Sequence, residues 1–206
     1  MDHRQHILEV AADLFYRQGF RATGVDTVIA HAKVAKRTLY HHFRTKDDLI
    51  AAVLEMRQRI WFAWIEAELA RRGGTPADRL LAMFDALYDS SSGDSRSEPM
   101  RGCIFFNAAI EFPEGSSAVR RMVTSDVEKT HALVLSLATA AGAVDPEALA
   151  RELALVRRGA IMTSVMTGDP ECFRDARRTA GRLLEAHLGS ARESVRERAA
   201  PVGLQA

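Results

Sequence analysis

Residues 23–49 read Thr23-Gly24-Val25-Asp26-Thr27-Val28-Ile29-Ala30-His31-Ala32-Lys33-Val34-Ala35-Lys36-Arg37-Thr38-Leu39-Tyr40-His41-His42-Phe43-Arg44-Thr45-Lys46-Asp47-Asp48-Leu49. Thr23 has the chemistry of a helix N-cap, and Asp26 three residues on nearly completes a capping box. Val25, Val28 and Ile29 give that helix a buried face, and the pattern ends near His31 or Ala32. A tight turn follows around Ala32-Lys33-Val34. A second short helix runs from about Ala35 to His42, with Leu39, Tyr40 and Phe43 as its apolar members. Thr45 then caps a third helix whose first turn carries Asp47 and Asp48.

Two short helices joined by a tight turn, the second one basic, form a helix-turn-helix. Residues 32–46 hold Lys33, Lys36, Arg37, Arg44 and Lys46 with no acid, and His41 and His42 lie among them. The chain as a whole carries a formal charge of only +1, so any nucleic-acid surface is a local patch. A basic stripe alone is equally a solvated face, so the spacing around it carries the reading. Val28, Ile29, Val34, Leu39 and Phe43 hold the interhelical angle, which leaves Lys36, Arg37 and Thr38 pointing outward. Lys and Arg suit guanine O6 and N7, and Thr suits a thymine methyl or a phosphate.

The run Thr38-Leu39-Tyr40-His41-His42-Phe43 followed by Lys46-Asp47-Asp48-Leu49 resembles the signature of the tetracycline-repressor (TetR) family. The resemblance is strong over about residues 4 to 55, and Gly102 to Phe112 is similar to a segment common in one branch of the family. It implies that Lys36, Arg37 and Thr38 read bases or backbone. Tyr40 and His42 would touch phosphate or a thymine methyl, the alternative being that they only pack on the preceding helix. Thr23 and Lys46 would clamp phosphates, and His41 belongs to the same DNA-binding set. The family usually has Gly where this chain has Lys33 and Ser where it has Ala35. A left-handed lysine costs roughly 1 kcal/mol, and a missing cap about the same. Lys33 would compensate as an extra phosphate contact.

Outward from this stretch, Ile7, Leu8, Ala11, Leu14 and Phe15 mark a preceding helix over about 4–18, stopped by Gly19 and followed by Phe20 as an apolar plug. After it, a long helix spans about Lys46 to Arg72, with Leu49, Val53, Met56, Ile60 and Trp64 on one face. Thr75-Pro76 opens a fifth helix to about Tyr88, and Asp89 to Pro99 reads as a mobile loop. Further helices span Cys103 to Phe112 and, from Ser116 or Ser117, to about Ala141. Asp145-Pro146-Glu147 and Asp169-Pro170-Glu171 repeat one start signal. They open helices over about 146–167 and 170–188, closed by Gly168 and Gly189. The fold class is all-α, about nine helices in total. Residues 1–46 form a helix-turn-helix DNA-binding domain, 47–190 a helical ligand-binding and dimerisation domain, and 191–206 a flexible tail.

Leu149, Leu153, Val156 and Ala160, with Phe173, Ala176, Ala180 and Leu183, suit an antiparallel helix pair. A twin pair across a two-fold axis makes a four-helix bundle, and the resemblance favours such a homodimer through the last two helices. Two reading helices one DNA turn apart, about 34 Å, then meet a palindromic operator in double-stranded DNA. Trp61, Trp64, Phe84, Tyr88, Cys103, Phe106, Asn107, Glu111 and Met162 are candidates for a mostly apolar site taking a small apolar or cationic effector. Phe105, Met122, Met166 and His131 lie nearby, and the bland reading of all these residues is plain core.

Other classes find less support. There is no nucleophile–base signature, Gly-rich phosphate loop or metal spacing, so no catalytic residue, metal or cofactor is expected. A protein-binding helical adaptor leaves the basic helix unexplained. Two cysteines, Cys103 and Cys172, are too few for a disulfide framework. The start lacks an apolar signal core, and the longest soft run, Ala132 to Val144, is too short to span a bilayer. A cytoplasmic regulator, most simply a repressor, is the expectation.

Overall fold

The computed structural model describes residues 2–92, 102–113 and 117–199. Among these there are nine helices and no strand. They are α1 (His3–Gln18), α2 (Val25–Ala32), α3 (Lys36–His42), α4 (Lys46–Arg72), α5 (Pro76–Ser92), α6 (Ile104–Glu111), α7 (Ala118–Ala140), α8 (Pro146–Thr167) and α9 (Glu171–Ala199). Two compact units result. One contains Met1–Glu66 and Met100–Lys129, the other Ala67–Pro99 and Thr130–Ala206. These units differ from a division of the chain at residue 46, because the first half of α4 and all of α6 share a core with α1–α3.

Local chemistry sets most helix ends. Asp2 caps α1 by accepting from the backbone N–H groups of Arg4 and Gln5. Thr45 and Asp48 form a reciprocal box at the start of α4, each side chain accepting from the other's N–H at 3.1 Å. Thr75 and Asp78 repeat it at α5. Asp145 accepts from the Ala148 N–H ahead of α8, with Pro146 in the first turn. Gly168 ends α8 in the left-handed conformation.

Three boundaries depart from the local reading. Thr23 is not the N-cap of α2; Gly24 occupies that place and supplies no side-chain bond. α5 continues through Ser92, past the expected end at Tyr88, while the rest of the expected loop, 93–99, lies outside the described residues. α9 runs through Gly189 to Ala199, so 191–199 is helix rather than tail, and 200–206 lie outside the described residues. A helical glycine costs only about 1 kcal/mol, so Gly189 does not have to end the helix.

The first unit is built around α1. Ile7, Leu8, Ala11, Leu14 and Phe15 are all buried, as their spacing predicts. Against them pack Val28 and Ala32 of α2, Leu39 of α3, and Leu49, Ile50, Val53 and Leu54 of α4. Ile104, Phe105 and Ala108 of α6 and Val119 and Val123 of α7 complete this core. Seven-residue α3 is too short to be helical alone. Leu39 and Phe43, 1% and 3% exposed, hold it in place, and truncating such a leucine costs about 2–5 kcal/mol.

In the second unit α9 packs on both α5 and α8. Leu149, Leu153, Ala160, Phe173, Ala176 and Ala180 are buried, joined by Leu80, Phe84 and Leu184. The Val144 N–H donates to the His187 carbonyl near one end of the α8/α9 pair, and Cys172 Sγ donates to the Ala160 carbonyl near the other, which fixes the pair as antiparallel. Burial pushes the Cys172 thiol up from its ordinary value. Neither cysteine forms a disulfide among the described residues.

Candidate nucleic-acid interface

α3 divides cleanly by burial. Leu39 and, just past the helix, Phe43 face the core, while Lys36, Arg37, Tyr40 and His41 are exposed and Thr38 and His42 half-buried. Tyr40 is 42% exposed and so does not merely pack on α2. His42 stands between the His41 ring, 5.1 Å away, and the Phe43 ring, 6.2 Å away. α1 braces the pair of short helices: His6 Nε2 is 3.0 Å from the Ala32 carbonyl, and the Arg4 guanidinium lies 5.5 Å from the Phe43 ring centre.

The turn before α3 takes the form the sequence suggests. Lys33 has φ 53° and ψ 40°, the left-handed region, and alone among the described non-glycine residues has positive φ. Its N–H donates to the Ile29 carbonyl and closes α2. Ala35 is the N-cap of α3 and offers no side-chain bond. Both departures from the family pattern are therefore real backbone features, each worth about 1 kcal/mol. Lys33 is exposed, beside the start of α3.

Lys36 is not wholly free. Its Nζ lies 3.3 Å from Asp26 Oδ1 in the first turn of α2, an exposed pair that sequence reasoning missed. Lys46 is half-buried, and its Nζ donates to the Arg21 carbonyl at 3.3 Å. Burial pushes its ammonium down from the ordinary value, while the carboxylates of Glu111 and Asp47 pull it back up.

Two expected site residues take other roles. Thr23 is fully buried, and its hydroxyl donates to the Gly19 carbonyl at 2.8 Å, tying the start of α2 to the end of α1. A side chain so placed cannot clamp a phosphate. Glu111, expected to face an effector, instead accepts from the backbone N–H groups of Phe20 at 3.0 Å and Arg21 at 2.7 Å. Its carboxylate is consumed by the turn between α1 and α2.

The remaining effector candidates are spread over the two units. Trp61, Trp64, Cys103 and Asn107 are half-buried and Phe106 is 43% exposed in the first. Phe84 is buried, and Tyr88 and Met162 half-buried, in the second. The Tyr88 hydroxyl donates to Glu171, with the Arg174 guanidinium 4.0 Å from its ring centre. His131 is paired with Glu147 at 3.0 Å. An open groove of about 260 Å³ lies between α1 and α4, lined by Gln5, Glu9, Tyr16, Met56, Arg57 and Ile60 among others, and contains none of these candidates. Ile60, expected on the buried face of α4, is 52% exposed at its edge. Buried Gln58 is a polar residue the sequence did not single out. Its Oε1 accepts from Lys129 at 2.7 Å, and its Nε2 finds no acceptor among the described residues.

Comparison with known proteins agrees with this geometry. The profile of bacterial regulatory proteins of the tetR family matches residues 7–53, and that of the tetracyclin repressor-like C-terminal domain matches residues 76–180. The chain belongs to the TetR family. Relatives of this TetR-family regulator include the transcriptional regulator AcuR of Cereibacter sphaeroides, 25% identical over 86% of this chain and 83% of that protein. The transcriptional repressor DhaR of Mycobacterium sp. (strain GP1) is 27% identical over 57% of this chain, a match spanning 56% of that relative. Among solved structures, a TetR-family transcriptional regulator from Streptomyces coelicolor has a TM-score of 0.78 at 28% identity, covering 90% of this chain and 96% of that one. Reduced Escherichia coli NemR has the same TM-score at 21% identity, covering 87% and 95%, a likeness of fold. The protein is thus a helix-turn-helix, DNA-binding transcriptional regulator, in a family of regulators rather than enzymes. No described helix is long and apolar enough to cross a membrane.

Proposed function

We propose that the protein is a dimeric repressor that reads a palindromic operator and is released from it by a small-molecule effector. The observation that carries the reading is the division of α3 into a buried Leu39 and an exposed Lys36, Arg37 and Tyr40. Lys36 and Arg37 contact base edges in the major groove, and Thr38, Tyr40, His41 and His42 contact phosphate or a thymine methyl. Lys33 and Lys46 flank the helix as phosphate contacts. Residues 1–46 are the DNA-binding domain in this reading, and the helices that follow bind effector and partner.

The twin subunit seats on the outer face of α8 and α9. Leu155 is 68% and Met166 79% exposed, and Gly159 and Met162 fall between them at helical spacing. A Cβ on Gly159 or Gly181 would meet nothing within 4 Å, so the backbone on this face is open to close approach. Exposed apolar groups in a row on a helix suit a self-complementary interface.

The effector reading keeps Trp61, Trp64, Cys103, Phe106 and Asn107 of the first unit, where Gln58 also lies. The Gln58 amide nitrogen, which has no acceptor among the described residues, favours a mostly apolar compound carrying a hydrogen-bond acceptor. Both tryptophans of the chain are in the candidate set, so quenching of intrinsic fluorescence by a compound that also lowers operator affinity is the expected sign.

The test is selection of bound sequences from random duplexes, followed by Arg37→Ala. A palindromic consensus is expected. Arg37→Ala then weakens binding to it by about 1–3 kcal/mol and binding to random DNA by less. A selection yielding no consensus rejects sequence-specific regulation by this chain.

A further inference from the structure

Glu111 is the last residue of α6. A carboxylate there is disfavoured, because the C-terminus of a helix carries partial negative charge. Helix stability therefore does not account for it. Its contacts do. The two carboxylate oxygens take the consecutive N–H groups of Phe20 and Arg21, at 3.0 and 2.7 Å, across ninety residues of chain. Neighbouring Phe112 joins in: its ring is edge-on to Phe20, centres 6.1 Å apart, and the Arg21 guanidinium lies 5.8 Å from its centre.

The clasped turn is itself tied to the DNA-reading surface. Gly19 has φ 95°, and a Cβ there would sit 3.4 Å from Glu111 Oε1. The Gly19 carbonyl receives the Thr23 hydroxyl just before α2, and the Arg21 carbonyl receives Lys46 Nζ at the start of α4. One carboxylate on α6 thus fixes the turn from which α2 departs and against which Lys46 is aimed. All these residues belong to the same compact unit.

We propose that Glu111 is a positioning residue for DNA recognition, its carboxylate holding the turn at Phe20 and Arg21 in the form that presents α2, α3 and Lys46 to the duplex. This rests on the reading of the chain as an operator-binding regulator. Glu111 touches no DNA. It acts through the turn, so closure of the clasp and operator binding favour one another reciprocally. Any event that draws the end of α6 away weakens operator binding by the same factor by which DNA holds the clasp shut.

The experiment uses the full chain and the duplex selected above. Glu111→Ala should lower operator affinity by about tenfold, measured per folded molecule, within the usual range of coupling between sites. Glu111→Gln, which keeps one carbonyl acceptor, should recover part of the loss. The amide protons of Phe20 and Arg21 should move upfield in Glu111→Ala, a shift that a distant packing defect would not produce. A second measurement needs no variant: in the wild-type protein, operator DNA should slow hydrogen exchange at those two amides by a similar factor. Operator binding by Glu111→Ala within twofold of wild type, or exchange at Phe20 and Arg21 that operator leaves unchanged, overturns the proposal while leaving operator recognition intact. A wild-type chain that selects no operator overturns the regulator reading instead, and the clasp's role falls with it.

Discussion

Lys36 of the reading helix is held 3.3 Å from Asp26 in the first turn of the helix packed across it. Both side chains are well exposed, 64% and 83%, so the pair is worth at most about 1 kcal/mol. In contact with DNA the lysine exchanges this partner for a phosphate or a base edge, and Asp26 is left near the polyanion. Asp26→Asn should therefore raise affinity for random duplex DNA by about threefold at low salt, with stability changed by no more than about 1 kcal/mol. Fluorescence anisotropy on a random duplex checks it. An affinity that falls would mean that Asp26 orders Lys36 for binding.

Lys33 is strained and exposed at once. Lys33→Gly removes the left-handed penalty, set against the greater freedom of glycine in the unfolded chain. A net gain of about 0.5–1 kcal/mol in urea unfolding is expected. The same change deletes a proposed phosphate contact, so the slope of log affinity against log salt should fall by about one. Stability rising with an unaltered slope would remove Lys33 from the interface.

The outer face of α8 carries Leu155 and Met166 in the open. Placing charge there, as Leu155→Glu with Met166→Glu, leaves the monomer core untouched but opposes burial against a twin. Sedimentation velocity should report a monomer, with operator affinity reduced by about a hundredfold through loss of the second reading helix. A variant that remains dimeric places the subunit contact elsewhere.

Asp78 accepts from the Thr75 hydroxyl at 2.7 Å and the Thr75 N–H at 2.9 Å, which hold its carboxyl below the ordinary 3.8. A folded-state value below the unfolded one means that the box supports α5 fully above the ordinary carboxylate value. That support is lost as pH falls through the lowered value. Thr75→Ala removes the larger of the two causes, so an NMR titration should show the Asp78 carboxyl moving up toward 3.8. A titration that does not move would assign the shift to the backbone bond alone. Gly74 cannot be replaced to help, because a Cβ there would sit 2.8 Å from Asp78 Cβ at a φ of 87°.

What was legible in the chain is what neighbours in sequence can encode. Thr45, Thr75 and Asp145 cap the helices they precede, because a cap needs only an oxygen within three residues of the N–H it accepts. The buried face of α1 and the exposed Lys36 and Arg37 follow from a period of 3.6. The left-handed Lys33 is what the family resemblance implied, through the Gly usual at that position. Thr23 and Glu111 were misread for one reason: a side-chain oxygen near a helix end has several local partners to choose from, and packing makes the choice. Burial turns Thr23 back onto Gly19, and α6 docking brings Glu111 to amides ninety residues away. No periodicity registers a bond of that span, since only the folded core sets the distance across it.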